Sequence, residues 1–146
     1  MGQVFVGPRA TLGVVLDFIE KLRSNPNQLV ILGDGLQKKS YLYIDDCVNA
    51  ILTACEKSNR QVEIFNVGSE DWVNVSRIAE IVVEEMSLKN VKFRFTGEVD
   101  EGRGWKGDVK KMLLDISRLK ALGWKPKYKS EEAVRTATKH TLEIER

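Results

Sequence analysis

Residues 29–46 read LVILGDGLQKKSYLYIDD, and this stretch decides the predicted fold class. The apolar run at 29–32 predicts a short buried strand that ends at the glycine turn 33–35. Residues 40–44 combine aromatic and β-branched side chains, which favour a second strand. Asp45 is then placed to cap a helix. The predicted apolar face of that helix consists of Val48, Ile51, Leu52 and Cys55.

The same alternation of strands and helices continues on both sides of this stretch. Apolar residues at helical spacing, followed by Asn25-Pro26, predict a helix over residues 11–24. The further predicted elements are strand 62–67, a helix capped by Asn74, strand 91–95, strand 111–116, helical turns at 117–122 and a helix capped by Ser130. The strands are short and few, so the sequence predicts an α/β chain in which short strands and strand pairs alternate with helices.

The composition is that of an ordinary folded domain. The 146 residues carry 23 Lys and Arg against 21 Asp and Glu, a net charge of +2. Because the two signs are mixed along the chain, we do not expect a nucleic-acid-binding protein. No apolar run is long enough to cross a membrane, and the first residues lack the features of a signal peptide. We therefore expect a cytoplasmic protein without membrane contact.

The cysteines and the histidine predict neither a disulfide nor a metal site. Cys47 and Cys55 lie on one predicted helix, where their spacing separates them by about 12 Å, too far for a disulfide. We interpret both as small core residues in a reducing compartment. His140 is the only histidine, so the chain lacks a ligand set for zinc. Its place beside Lys139 in the last predicted helix indicates an exposed position.

A glycine pattern at residues 102–107, GRGWKG, matches the spacing of a dinucleotide-binding fingerprint. That fingerprint requires a buried strand before it and a helix after it. Here polar residues precede the glycines, and a predicted strand follows them. We interpret the match as coincidental. No serine or cysteine has a recognisable nucleophile motif either, so the sequence shows no complete active site.

Two segments nevertheless carry groups suited to binding. In the first, residues 29–41, a strand backbone could meet a flat base while Lys38 or Lys39 meets a phosphate. A plain hairpin with a solvated turn explains that spacing equally well. In the second, residues 102–108, Arg103, Trp105, Lys106 and Asp108 share a polar loop. Such a loop is more often merely exposed, although functional groups do concentrate on loops.

Together these segments resemble the carboxy-terminal half of NAD-dependent epimerases and dehydratases, in the extended short-chain dehydrogenase/reductase family. The similarity is strongest to archaeal-type UDP-glucose 4-epimerases and covers nearly the whole chain, and it implies that residues 1–146 are one nucleotide-sugar-binding C-terminal portion. The motifs that carry it are, in order, VGPR at 6–9, GDGLQKKSYLYIDD at 33–46, FNVG at 65–68, GRGWKGD at 102–108, LDIS at 114–117, LGWKP at 122–126 and EEAVR at 131–135.

The resemblance implies a two-part architecture of which this sequence carries one part. Family members hold NAD in an N-terminal Rossmann half that also supplies a catalytic Tyr-x-x-x-Lys pair. Here Asp45, Cys47 and Glu132 stand four residues beyond the three tyrosines, so the pair is missing. We therefore expect no catalytic and no cofactor-binding residue in this chain, no NAD bound by it alone, and no turnover. The expected partners are a nucleotide sugar and the absent Rossmann half, with self-association left open.

The resemblance also implies which residues would bind the nucleotide sugar. Val30 and Leu32 match backbone positions that meet the base. Lys39 stands where the family usually has an arginine near the ribose and pyrophosphate. Tyr41 matches an aromatic position beside that group, and Asp108 matches an acid that accepts hydrogen bonds from ribose hydroxyls.

Two further assignments concern the phosphates. Gly13 and Val14 match the backbone on the phosphate side. Arg103 is the nearest arginine to a position that Trp105 occupies here, and we assign it a phosphate contact. A protein-interaction module that keeps the fold without binding a substrate is the alternative function, and a nucleic-acid binder is a third.

Overall fold

The computed structural model describes residues 4–10, 12–97 and 109–144. The helices of these residues are α1 Val14–Ser24, α2 Ile44–Lys57, α3 Val75–Glu85, α4 Ser117–Ala121 and α5 Ser130–Ile144. Their strands are β1 Val4–Val6, β2 Gln28–Ile31, β3 Lys38–Lys39, β4 Tyr41–Tyr43, β5 Val73–Asn74, β6 Lys92–Phe95 and β7 Lys111–Met112. Strands and helices alternate along most of the chain, which confirms the predicted α/β class.

The described strands form three small sheets. β1 pairs with β4 in parallel, β2 pairs with β6 in parallel, and β3 lies between antiparallel β5 and parallel β7. The prediction of short strands and strand pairs is confirmed. A plain hairpin over residues 29–41 is wrong, because β2 and β3 belong to different sheets. Gly33 and Gly35 have φ values of 80° and 75°, and at these left-handed residues the chain leaves one sheet for the other.

The main hydrophobic core lies where α1, α3 and α5 pack against one another and against β2 and β4. Ile19, Leu29, Ile78 and Val134 are fully buried there. A second cluster joins α2 to α4. Its buried members are Leu42, Ala50, Ile116, Leu119 and Trp124. β4 contributes to both clusters, so it links the two parts of the core.

Two predicted helix caps have different outcomes. Asn74 precedes α3, and its Oδ1 accepts a hydrogen bond from Arg77 N at 2.7 Å, so this cap is confirmed. Ser130 instead begins α5 as a fully buried residue bonded to other segments. Its hydroxyl lies 3.0 Å from Tyr41 N, 3.3 Å from Tyr41 O and 3.0 Å from Asp71 O. The predicted cap is wrong because burial turns this hydroxyl towards β4 and Asp71.

The orientation of α2 contradicts the sequence-based expectation. Its predicted apolar face is exposed, with Val48, Ile51 and Leu52 at 49%, 52% and 54%. Asp45 makes no cap, whereas Asp46 is buried and its Oδ2 accepts from Lys127 N at 3.0 Å and Tyr128 N at 3.2 Å. Those bonds and the burial of Ala50 turn the small, polar face inward. Cys55 is also exposed, so its assignment to the core is wrong, while Cys47 is half-buried.

Two predicted strands are shorter or missing. Residues 62–67 alternate in exposure as a strand would, with Val62 and Ile64 exposed and Phe65 and Val67 against the second cluster. No described strand pairs with them, so the strand prediction is wrong. The strand expected at 111–116 is limited to Lys111–Met112. Within the described ranges, no helix has the length and apolar character needed to span a membrane.

A network of ion pairs connects α3 with α5. Arg77 contacts Glu131 at 2.7 Å and Glu84 at 2.9 Å, and Arg135 contacts Glu84 and Glu85 at 2.6 Å. Hydrogen bonds from Arg135 and then Arg77 lower the pKa of Glu84 below its ordinary value of 4.5. Glu84 therefore contributes to the free energy of unfolding, and this contribution reaches its full size when the pH is above 4.5. It is lost as the pH falls through the lowered pKa.

We expect the Glu84→Gln variant to lose less stability than the parent when the pH is lowered from about 5 to about 3. Glu84 is 46% exposed, so solvent screens the effect and salt should reduce it further. Urea denaturation across this pH range measures the difference. Exposed Glu143 of α5 provides the control Glu143→Gln, which should follow the parent. Equal pH slopes for the Glu84→Gln variant and the parent would contradict the role of Glu84.

Candidate functional site

A cleft of about 240 Å³ lies between the start of α1, the end of β2, β3, β4 and the start of α3. Its lining residues are Val14, Asp17, Phe18, Leu32, Gln37, Lys39, Tyr41 and Val75. Four of them, Val14, Leu32, Lys39 and Tyr41, are residues that the sequence analysis assigned to substrate binding. The fold thus brings together predicted residues from separate elements. Their binding roles remain predictions.

The other predicted residues lie beside the cleft or outside the described chain. Gly13 precedes α1 with φ at 130°, a value that favours glycine, and it borders an adjoining hollow. Val30 faces a separate surface groove, where its carbonyl accepts a hydrogen bond from Lys21 Nζ at 3.4 Å. Arg103 and Asp108 lie outside the described residues.

The two lysines of β3 face in opposite directions, as neighbouring residues of a strand do. Lys39 lines the cleft, whereas the Lys38 ammonium lies 5.9 Å from the ring centroid of Trp72. Lys111 of β7 lies over the same ring at 4.2 Å. The sequence left open which lysine would meet a phosphate. The structure presents Lys39 to the cleft.

Hydrogen bonds from both nearby and distant residues hold the turn between β2 and β3, which lies beside the cleft. Gly33 N donates to Thr96 Oγ1 at 3.0 Å, and Leu36 N donates to Asp34 Oδ1 at 2.8 Å. Gly35 leaves no room for a side chain, because an added Cβ would lie 2.5 Å from Phe95 Cε1. Ser76 N and Ser76 Oγ both donate to the Gly35 carbonyl, which anchors the turn to the start of α3.

Gln37 is a cleft residue that the sequence reasoning did not assign. It is only 4% exposed, and its Nε2 donates to the Leu32 carbonyl at 3.3 Å. Its Oε1 is buried without a hydrogen-bond partner among the described residues. Such an orphaned acceptor is unusual in a folded core. No pattern in the sequence marks this glutamine, because its position depends on the start of α3, where Val75 N donates to the Gln37 carbonyl at 3.2 Å.

Lys39 shares the cleft lining with an acid that is paired with another residue. Asp17 of α1 also lines the cleft, but its carboxylate pairs with Lys21 at 2.6 Å. The apolar side chains of Val14, Phe18 and Val75 complete the lining. A positive group, a buried acceptor, an aromatic ring and an apolar wall suit a ligand that is part anion and part flat ring.

A tyrosine–histidine pair lies outside the cleft lining, where β4 packs against α5. Tyr43 Oη lies 2.7 Å from His140 Nδ1, and the Tyr128 ring packs edge-on against Tyr43 at 5.6 Å. The predicted exposed position of His140 is therefore wrong. Burial, followed by Asp45 and Tyr128, raises the pKa of Tyr43. A raised pKa disfavours the phenolate, so Tyr43 is not activated as a base.

Within the described ranges, no three potential metal ligands among His, Cys, Asp and Glu lie close together. The charged residues that the described chain contributes to the cleft lining are Lys39 and Asp17.

Comparisons with known proteins place this architecture in a family. The family model described as GDP-mannose 4,6 dehydratase matches residues 6–137. A Methanocaldococcus jannaschii protein provisionally named UDP-glucose 4-epimerase is 30% identical over 128 residues, which are 88% of this chain and 38% of that protein. The mouse dTDP-D-glucose 4,6-dehydratase is 29% identical over 122 residues, 84% of this chain and 34% of that enzyme.

Solved structures agree with the sequence matches. A UDP-galactose 4-epimerase structure superposes with a TM-score of 0.80 at 40% identity, covering 97% of this chain and 43% of that one. The Thermotoga maritima UDP-glucose 4-epimerase with UDP-glucose superposes at 0.75 with 31% identity, covering 98% and 45%. The chain thus spans less than half the length of these relatives. It belongs to the family of NAD-dependent nucleotide-sugar epimerases and dehydratases that the GDP-mannose 4,6-dehydratase model describes.

Proposed function

We propose that this chain is the nucleotide-sugar-binding portion of an NAD-dependent sugar epimerase or dehydratase. The observation that carries the proposal is the cleft, where Val14 of α1, Leu32 after β2, Lys39 of β3 and Tyr41 of β4 lie together. The family resemblance implies substrate binding at these same positions. The Thermotoga relative, 31% identical, has UDP-glucose in its structure, which supports a similar ligand class here.

In this proposal each part of the cleft has a separate task. Lys39 places an ammonium group against the diphosphate, where a charge-assisted hydrogen bond forms. Leu32 meets the base through its backbone, Tyr41 packs beside the ribose and pyrophosphate, and Val14 lies on the phosphate side. Arg103 and Asp108 would add phosphate and ribose contacts, as the family resemblance implies. A lysine at position 39 supplies charge without the bidentate fork of an arginine.

We propose that this chain does not catalyse by itself. The sequence lacks the Tyr-x-x-x-Lys pair and a glycine fingerprint in a strand–helix context. In family members NAD supplies hydride transfer, and a Rossmann half holds it. The family resemblance assigns removal of the sugar hydroxyl proton to that tyrosine, so its loss removes the expected base. The chain would hold the substrate while the other half supplies the chemistry.

Titration of the purified chain with UDP-glucose and with NAD tests this proposal. NMR chemical-shift changes should saturate with UDP-glucose and concentrate around residues 32–41. NAD should produce no saturable change. Mass and ultraviolet spectra of the purified protein should show no bound NAD. Epimerase turnover by this chain alone, together with NAD binding, would contradict the proposal.

A second function, docking of a partner, has its own support. The exposed face of α2, formed by Ile44, Val48, Ile51, Leu52 and Cys55, repeats at helical spacing and is apolar. Beside it, β1 and β4 form a parallel sheet of only two strands. Parallel sheets are normally larger and covered on both faces. We propose that an α/β Rossmann half covers this surface, in keeping with the length of the relatives.

Replacing Ile51 with glutamate should reduce hydrophobic-dye binding and any self-association of the chain, with little change in thermal stability. The physical reason is that the charge interrupts an exposed apolar stripe without opening a cavity. Asn49→Glu is the matched control, because it adds the same charge to an exposed position of α2 outside the stripe. Dye fluorescence and sedimentation velocity measure both effects. A parent protein that is monomeric and binds no dye would contradict the docking proposal.

A further inference from the structure

The side-chain amide nitrogen of Gln37 is hydrogen-bonded, whereas the amide oxygen has no partner among the described residues. Its Nε2 donates to the Leu32 carbonyl at 3.3 Å, and its backbone carbonyl accepts from Val75 N at 3.2 Å. Gln37 lines the cleft, and its Oε1 is buried without a partner among the described residues. A polar atom that is buried and unpaired in a binding cleft identifies what the missing partner must supply, here a hydrogen-bond donor.

The orientation of this amide is fixed by chemistry. The Leu32 carbonyl can only accept a hydrogen bond, so the nitrogen of Gln37 must face it. The oxygen therefore faces the other way. Because residue 37 is anchored on both its backbone and its side chain, Oε1 cannot swing out to solvent without breaking the bond to Leu32. The acceptor is held in place before any ligand arrives.

We propose that Gln37 is a specificity-determining residue, whose Oε1 accepts a hydrogen bond from an N–H or O–H group of the nucleotide bound in the cleft. This inference rests on the proposed function. Two donors have the required chemistry, the imide N–H of a uracil-like base and a ribose hydroxyl. The bond between Gln37 and Leu32 favours the base, because Leu32 belongs to the segment assigned to base contact.

Three probes distinguish the donors when they are titrated into the full chain by NMR: UDP, N3-methyl-UDP and 2′-deoxy-UDP. Loss of a neutral hydrogen bond should weaken binding by about 3- to 10-fold. For a base contact, N3-methyl-UDP should bind that much more weakly than UDP to the parent protein. In the Gln37→Met variant the two should bind equally. If the donor is the ribose 2′-hydroxyl, 2′-deoxy-UDP should bind more weakly than UDP to the parent protein and equally to the Gln37→Met variant. Either result supports the acceptor role of Gln37.

A purely structural role for Gln37 gives a different result. If the Gln37→Met substitution only loosened the turn, all three probes would weaken together and the ratios of their affinities would stay as in the parent. That outcome overturns the inference. Gln61→Met is the matched control at an exposed position and should leave every affinity unchanged.

The test also separates this inference from the proposed function. UDP that binds to the parent protein, with no penalty for either modified probe, overturns the role of Gln37 alone. This comparison uses only the parent protein and so does not depend on whether a variant folds. Absence of any UDP binding to the parent overturns the proposed function, and the role of Gln37 with it.

Discussion

Replacing Lys39 with methionine should weaken UDP binding by about 10- to 100-fold, since hydrogen bonds to charged groups contribute about 1.5–3 kcal/mol. Methionine keeps the length and apolar stem of lysine, so the packing of β3 between β5 and β7 should be preserved. Isothermal titration calorimetry at low salt measures the change. The remaining affinity should depend less on ionic strength than that of the parent, because one positive charge has been removed from the site.

Two companion variants test whether the loss of UDP affinity is specific to the Lys39 ammonium group. Lys38→Met removes the same charge from the adjacent residue, which lies over Trp72 and outside the cleft. It should change UDP affinity by less than about 2-fold, a screened long-range effect. Lys39→Arg keeps the charge and should restore binding. An equal loss from Lys38→Met and Lys39→Met would show that overall charge matters, and would remove Lys39 from the proposed site.

The second large effect concerns stability. Ser130→Ala should lower the free energy of unfolding by about 2–4 kcal/mol, because it leaves the buried Tyr41 N without the hydroxyl that accepts from it. The single hydroxyl proton, which lies between the carbonyls of Asp71 at 3.0 Å and Tyr41 at 3.3 Å, is lost as a donor at the same time. Since Ser130 ties the start of α5 to β4, we also expect weaker UDP binding through a displaced Tyr41.

Thr138→Val provides the matched control for Ser130→Ala. Thr138 is also fully buried on α5, but its hydroxyl donates only to the Val134 carbonyl one turn earlier, at 2.8 Å. Valine keeps the volume, and the helix can still satisfy that carbonyl. We expect a change within about 1 kcal/mol. Urea denaturation of both variants measures the difference. Equal losses from the two substitutions would show that Ser130 does not act as a link between segments.

The sequence was sufficient where the relevant interaction is local. The cap of α3 by Asn74 depends on an amide three residues away, and the apolar residues of α1 and α3 follow the helical period. The α/β class and the small strand pairs follow from the same short-range patterns. The candidate site residues follow from the family resemblance. Among those that the structure describes, Val14, Leu32, Lys39 and Tyr41 line one cleft.

The failures share a different physical origin. The apolar face of α2 was expected to be buried, yet the bonds of Asp46 to Lys127 and Tyr128 turn that helix the other way. Ser130 and His140 were given local or exposed roles, and both bond to β4. In each case the partner lies more than eighty residues away in the chain. No helical or strand period encodes such a pairing.

The sequence predicts the α/β alternation and the capped start of α3, and it shows that the catalytic Tyr-x-x-x-Lys pair is missing. These follow from residue types and spacings within a few positions. Tertiary structure alone decided that Lys39 rather than Lys38 lines the cleft, that Gln37 is buried with an orphaned oxygen, and that the apolar side of α2 is exposed. The reason is that burial depends on which distant segments pack together, and periodicity fixes only the faces that are available for packing.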